Sequence, residues 1–150
     1  MSALVSLHAL AAVIWVGGMF FALVVLRPSA GPLAPQMRLA LMHRVFGLFF
    51  PWVWASIVVL LGSGYALILV YYGGFSRVGL HIHIMQGTGI VMMLLFAHLY
   101  FAPWRRFCHA VETDAFADAA SELGSIRRIV AINLALGLLT VIAGAGGRFW

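Results

Sequence analysis

Formal charge disappears from this chain in four long stretches separated by short polar ones. Leu4 to Leu26 runs 23 residues without a charged side chain, Val45 to Tyr72 runs 28, Val78 to Trp104 runs 27 and Ile129 to Gly147 runs 19. About 20 apolar residues are needed to cross a bilayer as a helix. The pattern therefore predicts four membrane spans, at about 4–26, 45–72, 78–104 and 129–147, in one up-down bundle. The first run has no basic segment before it and exceeds the 7–15 residues of a signal-peptide core, so it reads as a span. The second is longer than one crossing requires and should tilt or project. Pro51 inside it predicts a kink.

The polar stretches set the connections. Pro28, Pro32 and Pro35 break the chain after the first span, and proline at a first helical turn lets a helix start at Pro35. Gly73-Gly74-Phe75-Ser76-Arg77 reads as a tight turn. Residues 105–128 hold all four acids, Glu112, Asp114, Asp118 and Glu122, balanced by Arg105, Arg106, Arg127 and Arg128. Phe107, Val111 and Phe116 among these charges predict a short amphipathic helix on the membrane surface. Gly124 reads as its stop and Ser125 as the cap of the last span. The glycine pairs Gly17-Gly18, Gly62 with Gly64, and Gly87 with Gly89 predict close helix approaches.

Composition narrows the class. The chain is 64% hydrophobic and 9% charged over 150 residues, against about 45–50% and about 25% in an ordinary soluble domain. Its net charge of +5 comes from arginine at the ends of the apolar runs, where topology uses it, so nucleic acid is not an expected partner. Seven arginines (27, 38, 44, 105, 106, 127 and 128) fall on one side of the four spans, and Arg77 and Arg148 on the other. The positive-inside rule makes the first side cytoplasmic and both termini periplasmic, in a bacterial inner membrane. Trp52, Trp54, Tyr71, Tyr72, Tyr100, Trp104 and Trp150 are candidate interface anchors. The single Cys108 excludes an internal disulfide. No nucleophile–base pair, carboxylate pair or phosphate loop lies in the spans, so hydrolysis is not expected, and any enzymatic role would be redox.

The candidate chemistry lies in the histidines. Ionisable residues inside a membrane are costly and mark function. His8, His81 and His83 fall toward the arginine-poor end, and His43 and His98 toward the arginine-rich end. On the third span His83 and His98 are 15 residues apart, about 22 Å along the axis and about 60° around it, so they share a face. His81 points about 160° away from His83. With His83 taken as the inward residue, imidazoles on different helices at two depths suit haem, whose iron is clamped from both sides. His8 and His83 would hold one haem b, and His43 and His98 a second. Gly87 would make room for the macrocycle, and Arg44, Arg127 and Arg128 would hold propionates. Such a pair would pass electrons across the bilayer between a quinone or a periplasmic redox or copper protein and its partner. Copper is the alternative ligand, through His81, His83 and Met85, which suit Cu(I) but converge only if the helix unwinds, and the second class of function is then a copper transporter or tolerance protein. Asn133, Gly137, Thr140 and Gly144 form a small, polar stripe on the fourth span. Helix packing is its expected role, and a cofactor contact from Asn133 the sharper one.

Several stretches resemble a known family. LHALAAVIWVGGMFFALVVLRP, RVFGLFFPWVWASIVVLLGSGYALI, HIHIMQGTGIVMMLLFAH and IRRIVAINLALGLL are similar to the short CopD-type proteins of the copper resistance D family. That resemblance implies an inner-membrane helical protein linked to copper uptake or tolerance. A more distant similarity is to HemJ-type protoporphyrinogen oxidases, small four-helix haem proteins. Their first-helix histidine looks like His8, and their third-helix His-x-Lys looks like His83 and Met85, with methionine here in place of lysine. That similarity implies haem at His8 and His83, and an oxidase acting on a porphyrin-like substrate as a third class of function.

Overall fold

The computed structural model describes residues 2–147; Arg148 and the candidate anchor Trp150 lie outside the described residues. Four long helices make up the fold: α1 (Ser2–Ser29), α2 (Pro35–Tyr71), α3 (Leu80–Glu112) and α4 (Phe116–Gly146). No strand occurs among the described residues. Each helix is long and apolar enough to cross a membrane. A helix is the natural choice there, because lipid offers no partner for a backbone N–H or C=O.

The ends follow local chemistry. Pro35 opens α2, where its missing N–H costs nothing. The α2–α3 turn places Gly73 at φ 75° and Gly74 at φ 119°, a left-handed region that a side chain would strain. Three helices contain a wider π-helical turn: Phe21–Leu26 in α1, Leu67–Tyr71 in α2 and Tyr100–Trp104 in α3. Two of these adjoin proline. Pro28 follows the first and Pro103 lies in the third. A proline ring crowds the carbonyl four residues earlier, and the wider turn moves that carbonyl aside, which keeps α1 and α3 continuous.

α1 packs on α2 and on α4, and α3 packs on α4, so α1 and α3 are diagonal. α2 meets α3 through large rings. Trp54 and Phe50 stand edge-on to Phe96, with centroids 5.3 and 5.4 Å apart. Trp15, Phe46, Phe50, Phe96, Leu99 and Phe107 are all nearly inaccessible, so the dense core fills the middle and the arginine-rich half.

Three sequence expectations are corrected. The amphipathic segment exists as Arg105–Glu112, but it continues α3. Its apolar side, Phe107 and Ala110, is buried against α4 and α2 rather than in lipid. No boundary occurs at Gly124 or Ser125, because α4 runs unbroken from Phe116. The charged residues thus belong to a helical stalk, closed by a bidentate bond from Arg106 to Glu122 at 2.6 and 3.1 Å. The turn between α3 and α4 is only Thr113 to Ala115, with Asp114 at φ 55°. Finally, the expected close helix approaches are found at Gly18 and Gly64 but not at the other four glycines. A Cβ on Gly17, Gly62, Gly87 or Gly89 would meet nothing within 4 Å. The tight places are Gly18 against Phe49, Gly64 against His8, Gly137 against Val16 and Met92, and Gly144 against Met85.

Candidate functional site

Besides a hydrogen bond from Gln86 Nε2 to Tyr65 Oη at 3.3 Å between α3 and α2, two polar features lie inside the spans. The first joins α1 to α2. His8 Nδ1 lies 2.9 Å from Ser63 Oγ, and Gly64 lets the imidazole approach so closely that a Cβ there would be 3.3 Å from its Cε1. The Ser63 hydroxyl has one hydrogen, and it is donated to Val59 O at 2.5 Å. The serine oxygen is therefore the acceptor, and His8 Nδ1 carries the proton. That leaves Nε2 of a neutral His8 as a bare lone pair. Fixing the tautomer through the other ring nitrogen is how proteins orient a metal-binding histidine. Sequence reasoning singled out His8 but not Ser63. The available signal was a hydroxyl between Gly62 and Gly64 in an otherwise apolar run.

The second feature is the seam between α3 and α4. Asn133 Nδ2 donates to Met92 O at 3.1 Å, Thr88 and Thr140 share a hydrogen bond at 2.7 Å, and the Thr140 hydroxyl points at Met92 Sδ, 3.9 Å away. A Cβ on Gly144 would be 3.0 Å from Met85 Sδ, and one on Gly147 would overlap the His81 side chain. The α4 stripe of Asn133, Gly137, Thr140 and Gly144 is thus a packing surface for α3. Against it α3 presents His81, Met85, Thr88 and Met92, spaced four, three and four residues apart on one face. Asn133 is buried, and its Oδ1 has no partner among the described residues.

The histidines divide differently from the expectation. His83 and His98 do share a face, but it is the outward one: His83, Gly87, Ile90, Leu94 and His98 are all exposed, Leu94 by 66%. The assignment of His83 as the inward residue is corrected, because α4 binds the opposite side of α3 and takes His81 with it. His8 points into α2 and has Ser63 for a partner, so the structure does not bring it together with His83 as a facing pair. His43 is half-buried, stacked on Trp104 at 5.5 Å and beside Phe107 at 6.1 Å, whereas His98 sits on the exposed strip. His109 is exposed on the stalk, and Cys108 is half-buried beside it. Of the arginines considered for propionates, Arg44 and Arg128 are exposed and Arg127 is half-buried. Among the described residues no three histidine, cysteine, aspartate or glutamate side chains cluster closely enough to hold a metal ion.

Four apolar helices with imidazole, thioether and hydroxyl groups inside them define a multi-pass membrane protein with soft, metal-binding donor types in its spans. Residues 43–146 match the family described as CopD, Copper resistance protein D, and the chain belongs to that family. No curated protein and no solved structure matches it. The matched region contains His81, Met85 and the α3–α4 seam as far as Gly146, and begins after α1 with its His8.

Proposed function

We propose that this protein handles copper at the arginine-poor mouth of the bundle, with His81 and Met85 as ligands to Cu(I). The observation that carries the reading is their common placement. One helical turn apart, both side chains lie in the notch that Gly144 and Gly147 leave on α4. An imidazole and a thioether are the donors that a soft monovalent copper ion takes from a protein. Met92, farther down the same face, extends the donor series toward the core. The helix does not have to unwind, because residues one turn apart share a face and His83 is not needed. By the positive-inside rule this mouth faces the periplasm, from which copper would arrive. The test is Cu(I) titration against a chromophoric chelator. His81→Ala with Met85→Leu should lower affinity at least tenfold, and His83→Ala should leave it unchanged. Equal affinity in the double variant refutes the site.

One observation favours a second reading, haem b, which would make the protein a transmembrane electron carrier or a haem enzyme. The Ser63 bond leaves His8 Nε2 ready to ligate iron. His83 and His98 lie on an exposed strip of α3, so of the histidines expected to hold haem His8 is the one that would do so from inside the bundle's arginine-poor half. A bound haem would supply one-electron chemistry, and His8 would hold it. A Soret band with a reducible α-band in the purified protein, lost in His8→Ala, supports this reading, and a colourless protein refutes it.

A further inference from the structure

The cluster of positive charge at the foot of the bundle is unexplained by either reading. A cavity of about 220 Å³ opens where α1 ends, α2 begins and α4 passes from stalk to span. Three arginines line it: Arg27 from the end of α1, Arg38 from the first turns of α2, and Arg127 from α4. Arg127 is within electrostatic reach of both others. Its Nε is turned back to Leu123 O at 3.3 Å, and among the described residues no acid pairs with any of the three. The one ion pair among the described residues is Arg106 with Glu122. Glu112, Asp114 and Asp118 are exposed on the stalk. The other walls are apolar, with Phe46 and Met42 on α2 and Val130 on α4 among them.

Three like charges around one half-enclosed space repel, and folding tolerates this best where an anion enters. A guanidinium presents a planar fork that fits phosphate oxygens. The position adds a second requirement. Arg27 marks the end of the first apolar run, so the cavity sits at headgroup depth, its guanidinium side toward water and its apolar side toward the acyl region. We propose that this cavity binds the phosphate of an anionic amphiphile, with a phospholipid of the arginine-rich leaflet as the favoured source over free phosphate. Basic pockets between transmembrane helices recognise anionic headgroups by this chemistry.

The experiment uses the whole chain in a zwitterionic detergent and measures binding of dioctanoyl phosphatidylglycerol, dioctanoyl phosphatidylcholine and inorganic phosphate. The wild type should bind phosphatidylglycerol at least tenfold more tightly than phosphatidylcholine. Arg38→Gln with Arg127→Gln should weaken it by roughly fivefold per arginine, about twenty-fivefold for the pair. Arg38→Lys with Arg127→Lys should retain most of the charge-dependent part. Arg44→Gln with Arg105→Gln removes equal charge outside the cavity and should change nothing. Inorganic phosphate binding as tightly as phosphatidylglycerol would assign the site to free phosphate, and weaker phosphate binding assigns it to lipid. Equal binding of the two lipids, or full binding by the Gln pair with its fold intact, overturns the proposal.

Discussion

The serine at position 63 controls which nitrogen of His8 carries the proton, and its removal gives a sharp test. In the wild type the Ser63 hydroxyl spends its hydrogen on Val59 O and accepts from His8 Nδ1 at 2.9 Å. A neutral hydrogen bond of this kind contributes about 1 kcal/mol net, which corresponds to about a fivefold bias toward the Nδ1–H tautomer. Ser63→Ala deletes the acceptor. Val59 O keeps its place in the helix ladder, so little else is left unsatisfied. The expected outcome is a fall in stability of about 1 kcal/mol and a shift of His8 toward Nε2–H. Long-range nitrogen–proton correlation spectra of selectively labelled histidine read the tautomer directly, and His8→Gln assigns the signal. If His8 binds a metal through Nε2, Ser63→Ala should also weaken that binding by about 10–100-fold, the usual effect of losing such a support. A wild-type His8 in the Nε2–H form, or a tautomer unmoved by Ser63→Ala, refutes the reasoning.

The packing predictions are separable from that one. Gly137→Leu would drive its Cβ to 2.9 Å from Val16 and 3.1 Å from Met92, and should cost about 1–3 kcal/mol in thermal or denaturant unfolding. Gly87→Leu, the same change on the open strip of α3, should stay within about 0.5 kcal/mol. Asp114→Gly should raise stability by about 0.5–1 kcal/mol, because φ 55° suits glycine better than any L side chain, and Asp114→Val should lower it. Arg106→Gln breaks the bidentate bond to Glu122, yet Arg106 is freely exposed. The melting temperature should scarcely move, and any difference should vanish in high salt.

Segment number and helical phase were legible because both rest on strong periodic signals. Uninterrupted apolar length identified the four spans, and 100° per residue put His83 and His98 on one face. What the phase could not supply was which face looks inward. In water, a helix turns its apolar side to the core. In lipid, the surroundings are as apolar as the core, so Ile90 and Leu94 on the exposed strip read no differently from Met92 and Phe96 in the interior. Membrane helices instead meet through small and hydrogen-bonding residues. On that criterion the interior face of α3 is the one with Thr88, opposite Gly137, Thr140 and Gly144 of α4. Since the α4 stripe was visible in the sequence, extending the same test to α3 would have chosen His81 and Met85 over His83. The stalk was missed for a related reason. Charge in the sequence predicts surface, whereas Phe107, Ala110, Ala119, Leu123 and Ile126 form a buried seam beneath the charges. Arg127 shows the consequence. A candidate propionate contact beside Arg128 by sequence, it lies instead near Arg27 and Arg38, because the seam through Leu123, Ile126 and Val130 fixes the phase of α4 and Arg127 falls on the side facing α1 and α2.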